Sequence, residues 1–469
     1  LERLEFYIED AMERLPLLGT SVVGRNINGP IPYAPDGLPK IGPMPGVKNA
    51  FEGHSFTFGI AQGGGAGKVL SEWIMHGETE LDMWAVDPRR YTDYADHDYC
   101  LSKALETYGH EYAMHFPQHE WPAGRNKKQS TIHETMAGLG AQFGAVNGWE
   151  RAMWFAQAGD DTSEEATQTW SRKGPWQARI QEECEAVRDG VGVLNLCGFS
   201  RYVLSGDGAM DWLRSLITGG IPKIGRVGLG YFVDEKGRIV TEMSMMRTDQ
   251  DEIVLITAAP AQWHDLELLA RDLPDTLSLE DRTSEIDTLV VTGPASRDLL
   301  AGISDADLAS GWLTHQRASV AGRPARLARV SYAGELGWEM HAANADIATI
   351  YDAILAGGAQ PFGMYALNSL RLEKGYRAWK GDLSTDYSAL ECGLERFIKW
   401  DKPHFVGKQA LEAEKQTGTK RRCVTMVVDV DEFDVPYMAP LWAGEQLVGE
   451  ATSGGYGYRV NAAIALGMV

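Results

Sequence analysis

Beyond Trp176 the apolar periodicities come in an order that excludes a regularly wound parallel sheet. Strand-like patterns follow one another at residues 231–233, 238–246 and 252–258 before a helical pattern intervenes at 261–272. Further strands are expected at 289–292 and 326–332, with helices at 294–301 and 345–356. A parallel α/β fold places a helix between neighbouring strands, so this order points to an α+β fold. Two helix faces open the region. One is Trp176, Ile180, Cys184 and Val187; the other is Trp212, Leu213, Leu216 and Ile217, with Asp207 placed to cap it. Strands are also expected at 423–430 and 446–452, beside a Gly-rich GGYGYRV.

A chain of 469 residues is too long for one ordinary core, so several domains are expected. Its net charge of −21 argues against a nucleic-acid or anionic-membrane surface, and no basic stripe appears. The five cysteines are scattered without a CxxC pair, which supports neither a zinc ribbon nor a disulfide framework and points to a reducing compartment. No apolar run approaches the ~20 residues of a membrane span. The opening LERLEFYIED is an acidic amphipathic helix, with Leu4, Ile8, Ala11 or Met12, and Leu15 on one face, and carries no signal or transit pattern. A cytoplasmic location is expected, or the mitochondrial matrix in a eukaryote. The chain begins with Leu1, which suggests a processed or truncated polypeptide.

Residues 28–47 form a Gly- and Pro-rich loop, and 54–60 are expected as a strand. AQGGGAGKVLSEWIMHG then places a glycine turn before a helix buried through Leu70, Trp73 and Ile74. The turn fails both phosphate-binding patterns. A Walker motif needs glycine at Gln62 and Ser or Thr at Val69; a dinucleotide fingerprint needs glycine at Lys68. What remains is a junction whose free backbone N–H groups could face a ligand oxygen. His110, His115 and His119 do not share a helical face suited to a metal, because the first pair is one residue too far apart and Pro117 divides the second. No metal site is expected.

The densest chemistry lies in residues 369–408. A helix marked by Met364, Leu367, Leu370 and Leu372 stops at Gly375. Then Tyr376, Arg377, Trp379, Lys380, Asp382, Asp386 and Tyr387 crowd cations, carboxylates and rings into a dozen residues. A flat anionic ligand with hydrogen-bonding edges suits that mixture. A second signal is Glu242, set among Val240, Met243, Met245 and Met246 in an apolar strand. An unpartnered carboxylate there is costly, so Glu242 either reaches solvent at a strand end or serves a site.

RLEKGYRAW, ALECGLERFIKWDKPHFVGKQAL and SYAGELGWEM resemble the signatures of folate-binding aminomethyltransferase domains of the glycine cleavage T-protein type. The "EKGYRAW" wording is most similar to domains fused to dimethylglycine and sarcosine dehydrogenases. PYAPDGLPKIGP and GGGAGKVLSEWIMHGETELDMWAVDPRRY resemble the last quarter of an amino-acid-oxidase-type FAD domain, whose opening fingerprint the chain lacks; WPAGR and GWERAMWF resemble the module joining the two halves. The resemblance implies four parts: residues 1–95, the C-terminal part of an FAD-dependent oxidoreductase domain; 96–156, a linker module; 157–412, the folate-binding fold; and 420–469, a partial C-terminal β-barrel. The chain looks truncated at both ends of this plan.

The resemblance also implies roles. Gly63, Gly64, Gly65 and Gly67 match the helix start that faces the flavin ring. Tyr332, Glu339, Arg371, Arg377 and Trp379 match the folate pocket, with Glu339 accepting pterin N–H groups and Arg371 and Arg377 meeting a carboxylate or fixing the pocket. Glu242 stands where the family carries an aspartate facing the reactive nitrogen of folate, and is the expected catalytic residue. The implied activity is FAD-dependent demethylation of an N-methylated amine with transfer of the one-carbon unit to tetrahydrofolate. A partner subunit or further N-terminal segment would supply the nucleotide-binding part. The alternatives are a non-catalytic regulatory homologue and a stand-alone tetrahydrofolate-dependent aminomethyltransferase.

Overall fold

The amphipathic start of the chain folds as α1 (Glu5–Arg14) in a computed structural model that describes residues 4–469. None of the residues of α1 is fully buried and Phe6 and Tyr7 face solvent, while Ile8, Ala11 and Met12 are half-buried where the chain turns back at residues 16–20. Within the Gly- and Pro-rich stretch, β1 (Lys40–Pro43) pairs antiparallel with β2 (Phe51–His54). The strand expected at 54–60 is absent: Ser55 and Gly59 take φ of 62° and 52° and turn the chain. α2 (Ile60–His76) therefore starts early, and Gly63, Gly64, Gly65 and Gly67 lie within its first turns instead of before it. It packs on the hairpin through Leu70, near Gly53, and Trp73, near Gly42, while Ile74 is exposed.

The segment 78–90 ties this region to the rest of the molecule. Arg238 donates to the carbonyls of Thr79 and Glu80 at 2.8 and 2.6 Å, and Lys380 pairs with Asp82 at 2.7 Å. Arg89, buried with Asp87, lies 3.5 Å from Glu267. α3 (His97–Gly109), capped by Asp96, precedes a loop in which His110 and His115 both lie against the Trp121 ring. α4 (His133–Gly138) leads into a hairpin of β3 (Ala141–Val146) and β4 (Trp149–Phe155). Ile132, Met136, Ala141 and Ala152 belong to the same core as the strands beyond, and Trp154 packs with Phe362 and Leu367.

After α5 (Glu164–Thr167), α6 (Gln177–Asp189) carries the expected buried face. The chain continues through β5 (Gly192–Asn195), β6 (Ser200–Ser205), α7 (Ala209–Leu216), β7 (Val227–Val233), β8 (Ile239–Arg247), β9 (Glu252–Thr257), α8 (Gln262–Ala270), β10 (Ser278–Asp281), β11 (Ile286–Thr292), α9 (Ser296–Ile303), β12 (His315–Val320), β13 (Arg323–Ala328), β14 (Gly337–Ala343), α10 (Asn344–Ala356), β15 (Gln360–Pro361) and α11 (Met364–Glu373). The first sheet has the order β10-β6-β9-β8-β7 and is antiparallel throughout; α7 and α8 cover one face over Met243, Met245 and Leu255. Each such side chain stabilises the fold by roughly 1.5–3 kcal/mol on burial. The second sheet runs β12-β13-β14-β11-β5-β15, with α9 and α10 on one face and α6 and α11 on the other.

Asp207 does not cap α7. Gly208, at φ 85°, starts the helix with no side-chain cap, and the Lys402 ammonium closes the other end on the carbonyls of Arg214, Ile217 and Gly219. β13 stops at Ala328, earlier than expected, so Tyr332 sits in the loop before β14. After α12 (Lys408–Thr417), β16 (Cys423–Val428), β17 (Pro440–Ala443), β18 (Gln446–Gly457) and β19 (Ala462–Met468) make an open antiparallel sheet, β16-β19-β18-β17, which does not close into a barrel. Leu372 of α11 packs on Ile464 and Leu466 of β19. No helix among the described residues is long and apolar enough to cross a membrane.

Candidate functional site

Strand alternation turns two carboxyl groups into the space between the first and second sheets. On β8, Met243 and Met245 point under α7 and α8, so Glu242, Ser244 and Met246 point the other way. Met246 packs with Val227, Ile256 and Ala328, the last on β13 of the second sheet. Ala328 is the register partner of Glu339, which in turn pairs with Val290 on β11. Cross-strand partners share a face. Glu242 and Glu339 therefore sit on the facing sides of the two sheets, and the crevice is the space between those sides.

Glu242 lies in the middle of β8, not at a strand end, directly opposite Tyr231 of β7. Burial pushes its carboxyl up to about 7, against the pull of the Tyr231 hydroxyl and the Arg377 guanidinium and with the help of Asp382. Near neutral pH such a group can both accept and return a proton. The Arg377 Nε is buried without a hydrogen-bond partner, and its Nη2 would lie 3.0 Å from a Cβ at Gly393.

Arg371 is committed elsewhere. Its guanidinium donates to Asp382 at 2.9 Å, Ser453 Oγ at 2.9 Å, Asn368 Oδ1 at 3.0 Å and the Tyr376 carbonyl at 3.0 Å. Asp382 is fully buried and also accepts from Ala378 N at 2.8 Å and from the Thr452 and Ser453 hydroxyls at 2.5 and 2.9 Å. This node binds α11, the loop after Gly375 and β18 together. Arg371 thus holds the loop that presents Arg377 and Trp379, and its carboxylate partner is Asp382, not Glu339.

Trp379 donates through Nε1 to the Val240 carbonyl at 3.2 Å, two residues from Glu242. Trp84 meets it edge-on at 5.1 Å, and the Lys380 ammonium lies over both rings at 5.4 and 5.1 Å. Tyr332 donates its hydroxyl to the Arg377 carbonyl at 2.9 Å and stacks on Tyr376 with centroids 5.9 Å apart. On the facing wall, burial raises Glu339 to about 7 while Arg201 opposes the shift. His341 Nε2 stands 3.6 Å from Glu339 Oε2, but burial and nearby cations keep this imidazole neutral, so the contact is not an ion pair.

The structure therefore brings Glu242, Arg377, Trp379 and Tyr332 together, sets Glu339 on the opposite wall, and places Arg371 behind the loop. Gly63, Gly64, Gly65 and Gly67 stand apart on α2, where a Cβ on any of them would meet nothing within 4 Å. The sequence reading missed Tyr231, Trp84, Asp82, Arg201 and His341 as members or supports of the site. Only Tyr231 carried a local signal, its place on the strand paired with that of Glu242.

Three families match the chain by sequence profile: the FAD dependent oxidoreductase central domain at residues 76–130, the GCVT N-terminal domain at 132–402, and the glycine cleavage T-protein C-terminal barrel domain at 421–469. Mitochondrial dimethylglycine dehydrogenase of Mus musculus is 35% identical over 482 residues, covering 100% of this chain and 55% of that protein. Mitochondrial sarcosine dehydrogenase of Mus musculus is 32% identical over 515 residues, covering 99% of this chain and 56% of that protein. The chain thus spans little more than half the length of these relatives. Among solved structures, the glycine cleavage system aminomethyltransferase T of Bartonella henselae superposes with a TM-score of 0.60 at 20% identity, over 73% of this chain and 90% of that one, which shows the shared fold.

Proposed function

The chain belongs to the family defined by the GCVT N-terminal domain, and from that premise we propose that the crevice between the two sheets binds tetrahydrofolate and serves transfer of a one-carbon unit from an N-methylated amine. The observation that carries this reading is the buried Arg377 Nε, which has no hydrogen-bond partner and whose guanidinium is near enough to Glu242 to oppose the rise of its carboxyl. A ligand with its own acceptors would satisfy that guanidinium. Glu339 accepts the N–H donors of the pterin edge, the stacked Tyr332 and Tyr376 rings line the approach, and Arg371 with Trp379 fixes the loop. Bound tetrahydrofolate supplies amine nitrogens that accept carbon. Glu242 holds a carboxylate where it can take up the proton an amine releases on forming that bond.

The reading extends to a dimethylglycine- or sarcosine-type demethylase, in which this chain is the folate-linked half and a further segment or partner subunit provides FAD binding. The described residues offer FAD only the open glycine face of α2, and no dinucleotide fingerprint. They do not fit a complete FAD site. Calorimetric titration of tetrahydrofolate tests the pocket. Wild type binds and Glu339→Gln binds at least about tenfold more weakly, the scale of one hydrogen bond to a charged group; unchanged affinity in the variant rejects the assignment.

A further inference from the structure

Glu339 and His341 are two residues apart on β14 and so share the face turned into the crevice. Thr288, the register partner of His341 on β11, places its Oγ1 2.8 Å from His341 Nδ1. Arg201 of β6 donates from Nη2 to the same hydroxyl. A guanidinium only donates, so Thr288 accepts from Arg201 and keeps its own proton to give. Among the described residues His341 Nδ1 is the acceptor within reach, which leaves the imidazole proton on Nε2. That Nε2 is buried, has no hydrogen-bond partner, and lies 3.6 Å from Glu339 Oε2.

The surrounding charges leave this order intact. Arg326 of β13 donates to His315 Nδ1 at 2.9 Å, and His315 of β12 donates from Nε2 to the Arg247 carbonyl at 2.9 Å, so neither competes for His341. Asp287 of β11 is engaged by Ser130 at 2.6 Å and Asn195 at 3.0 Å. We propose that Arg201 and Thr288 fix His341 as an Nε2–H donor aimed at Glu339, making His341 a positioning residue that engages one oxygen of the Glu339 carboxylate, now just beyond hydrogen-bond distance at 3.6 Å, when the other accepts from the N–H donors of a bound pterin ring. The identity of that ligand rests on the tetrahydrofolate reading; the hydrogen-bond order does not.

A donor to the charged form favours that form. The Glu339 carboxylate accepts at both oxygens, with its charge, only above its midpoint, raised by burial to about 7, so affinity for tetrahydrofolate falls as pH drops through that range. His341→Leu removes the donor and shifts the fall in affinity to higher pH, weakening binding at pH 7 by about tenfold. His341→Gln, whose side-chain amide keeps an N–H at comparable reach, restores the wild-type profile. The test has two arms. In the chain labelled with 15N-histidine, NMR should show one histidine held neutral with its proton on Nε2 from pH 5.5 to 8, its signals absent in His341→Leu; an Nδ1–H tautomer or an imidazolium overturns the relay. Calorimetry with tetrahydrofolate across the same pH range should give the shift and its rescue; identical profiles in wild type and His341→Leu overturn the part in recognition. If wild type binds no tetrahydrofolate, the ligand reading fails while the tautomer still decides the relay.

Discussion

Asp382→Asn should be among the most damaging conservative substitutions in this chain. Asp382 is fully buried and the Arg371 guanidinium beside it, 2.9 Å away, is nearly so. Asparagine keeps the shape, and its amide can turn toward the Thr452 hydroxyl, which rotates to accept. The loss is then mainly the charge, which leaves the Arg371 cation buried without compensation. Breaking a buried pair in this way costs about 3–5 kcal/mol. Arg371→Met alone strands the carboxylate and should cost a similar amount, whereas the double variant should cost clearly less than the sum, because neither charge then remains. Urea unfolding measures all three. A loss below about 1 kcal/mol in Asp382→Asn, or strict additivity in the double variant, would refute the assignment of Arg371 to the scaffold.

On the proposed demethylase function, Glu242→Gln, assayed with the FAD-binding part present, should leave amine oxidation intact, lower methylene-tetrahydrofolate formation and raise released formaldehyde. Equal formaldehyde from wild type and variant at saturating tetrahydrofolate removes Glu242 from the transfer. Glu183 accepts from the backbone N–H groups of Phe155 and Gly363, both at 2.8 Å, yet burial raises it from 4.5 to about 8. Folding therefore favours its protonated form, and its stabilising contribution is full below about 4.5 and lost as pH rises toward about 8. Glu183→Gln should gain stability relative to wild type by up to about 1.4 kcal/mol per pH unit over that window; a flat difference in urea midpoints contradicts it. Trp379→Phe deletes the bond to the Val240 carbonyl and should lower thermal stability by about 1 kcal/mol while weakening tetrahydrofolate binding.

Much of this architecture is legible from local pattern. β8 and β9 declare themselves because apolar residues alternate or cluster over several positions, and α6 because its buried residues repeat at helical spacing. β5 and β6 are harder: β5 is buried along its whole length, which erases the alternation that marks a strand. The displaced start of α2 has a similar cause, since its four early glycines read as a turn while the bend is made at Ser55 and Gly59. Glu242 stood out because a carboxylate interrupts an apolar strand. Arg201 and His341 could not be tied to Glu339 from spacing, because they meet only through the register of β11 with β14 and the packing of β6, from the other sheet, against them. Trp84 likewise reaches Trp379 across more than half of the chain.

The location of the ligand is tested most directly by amide hydrogen exchange with and without saturating tetrahydrofolate. Slowed exchange is expected in β8 around Glu242, in residues 329–339 and in residues 376–382, with α2 unchanged. No protection, or protection confined to segments away from these three, would contradict the crevice as the folate site and favour a non-catalytic homologue.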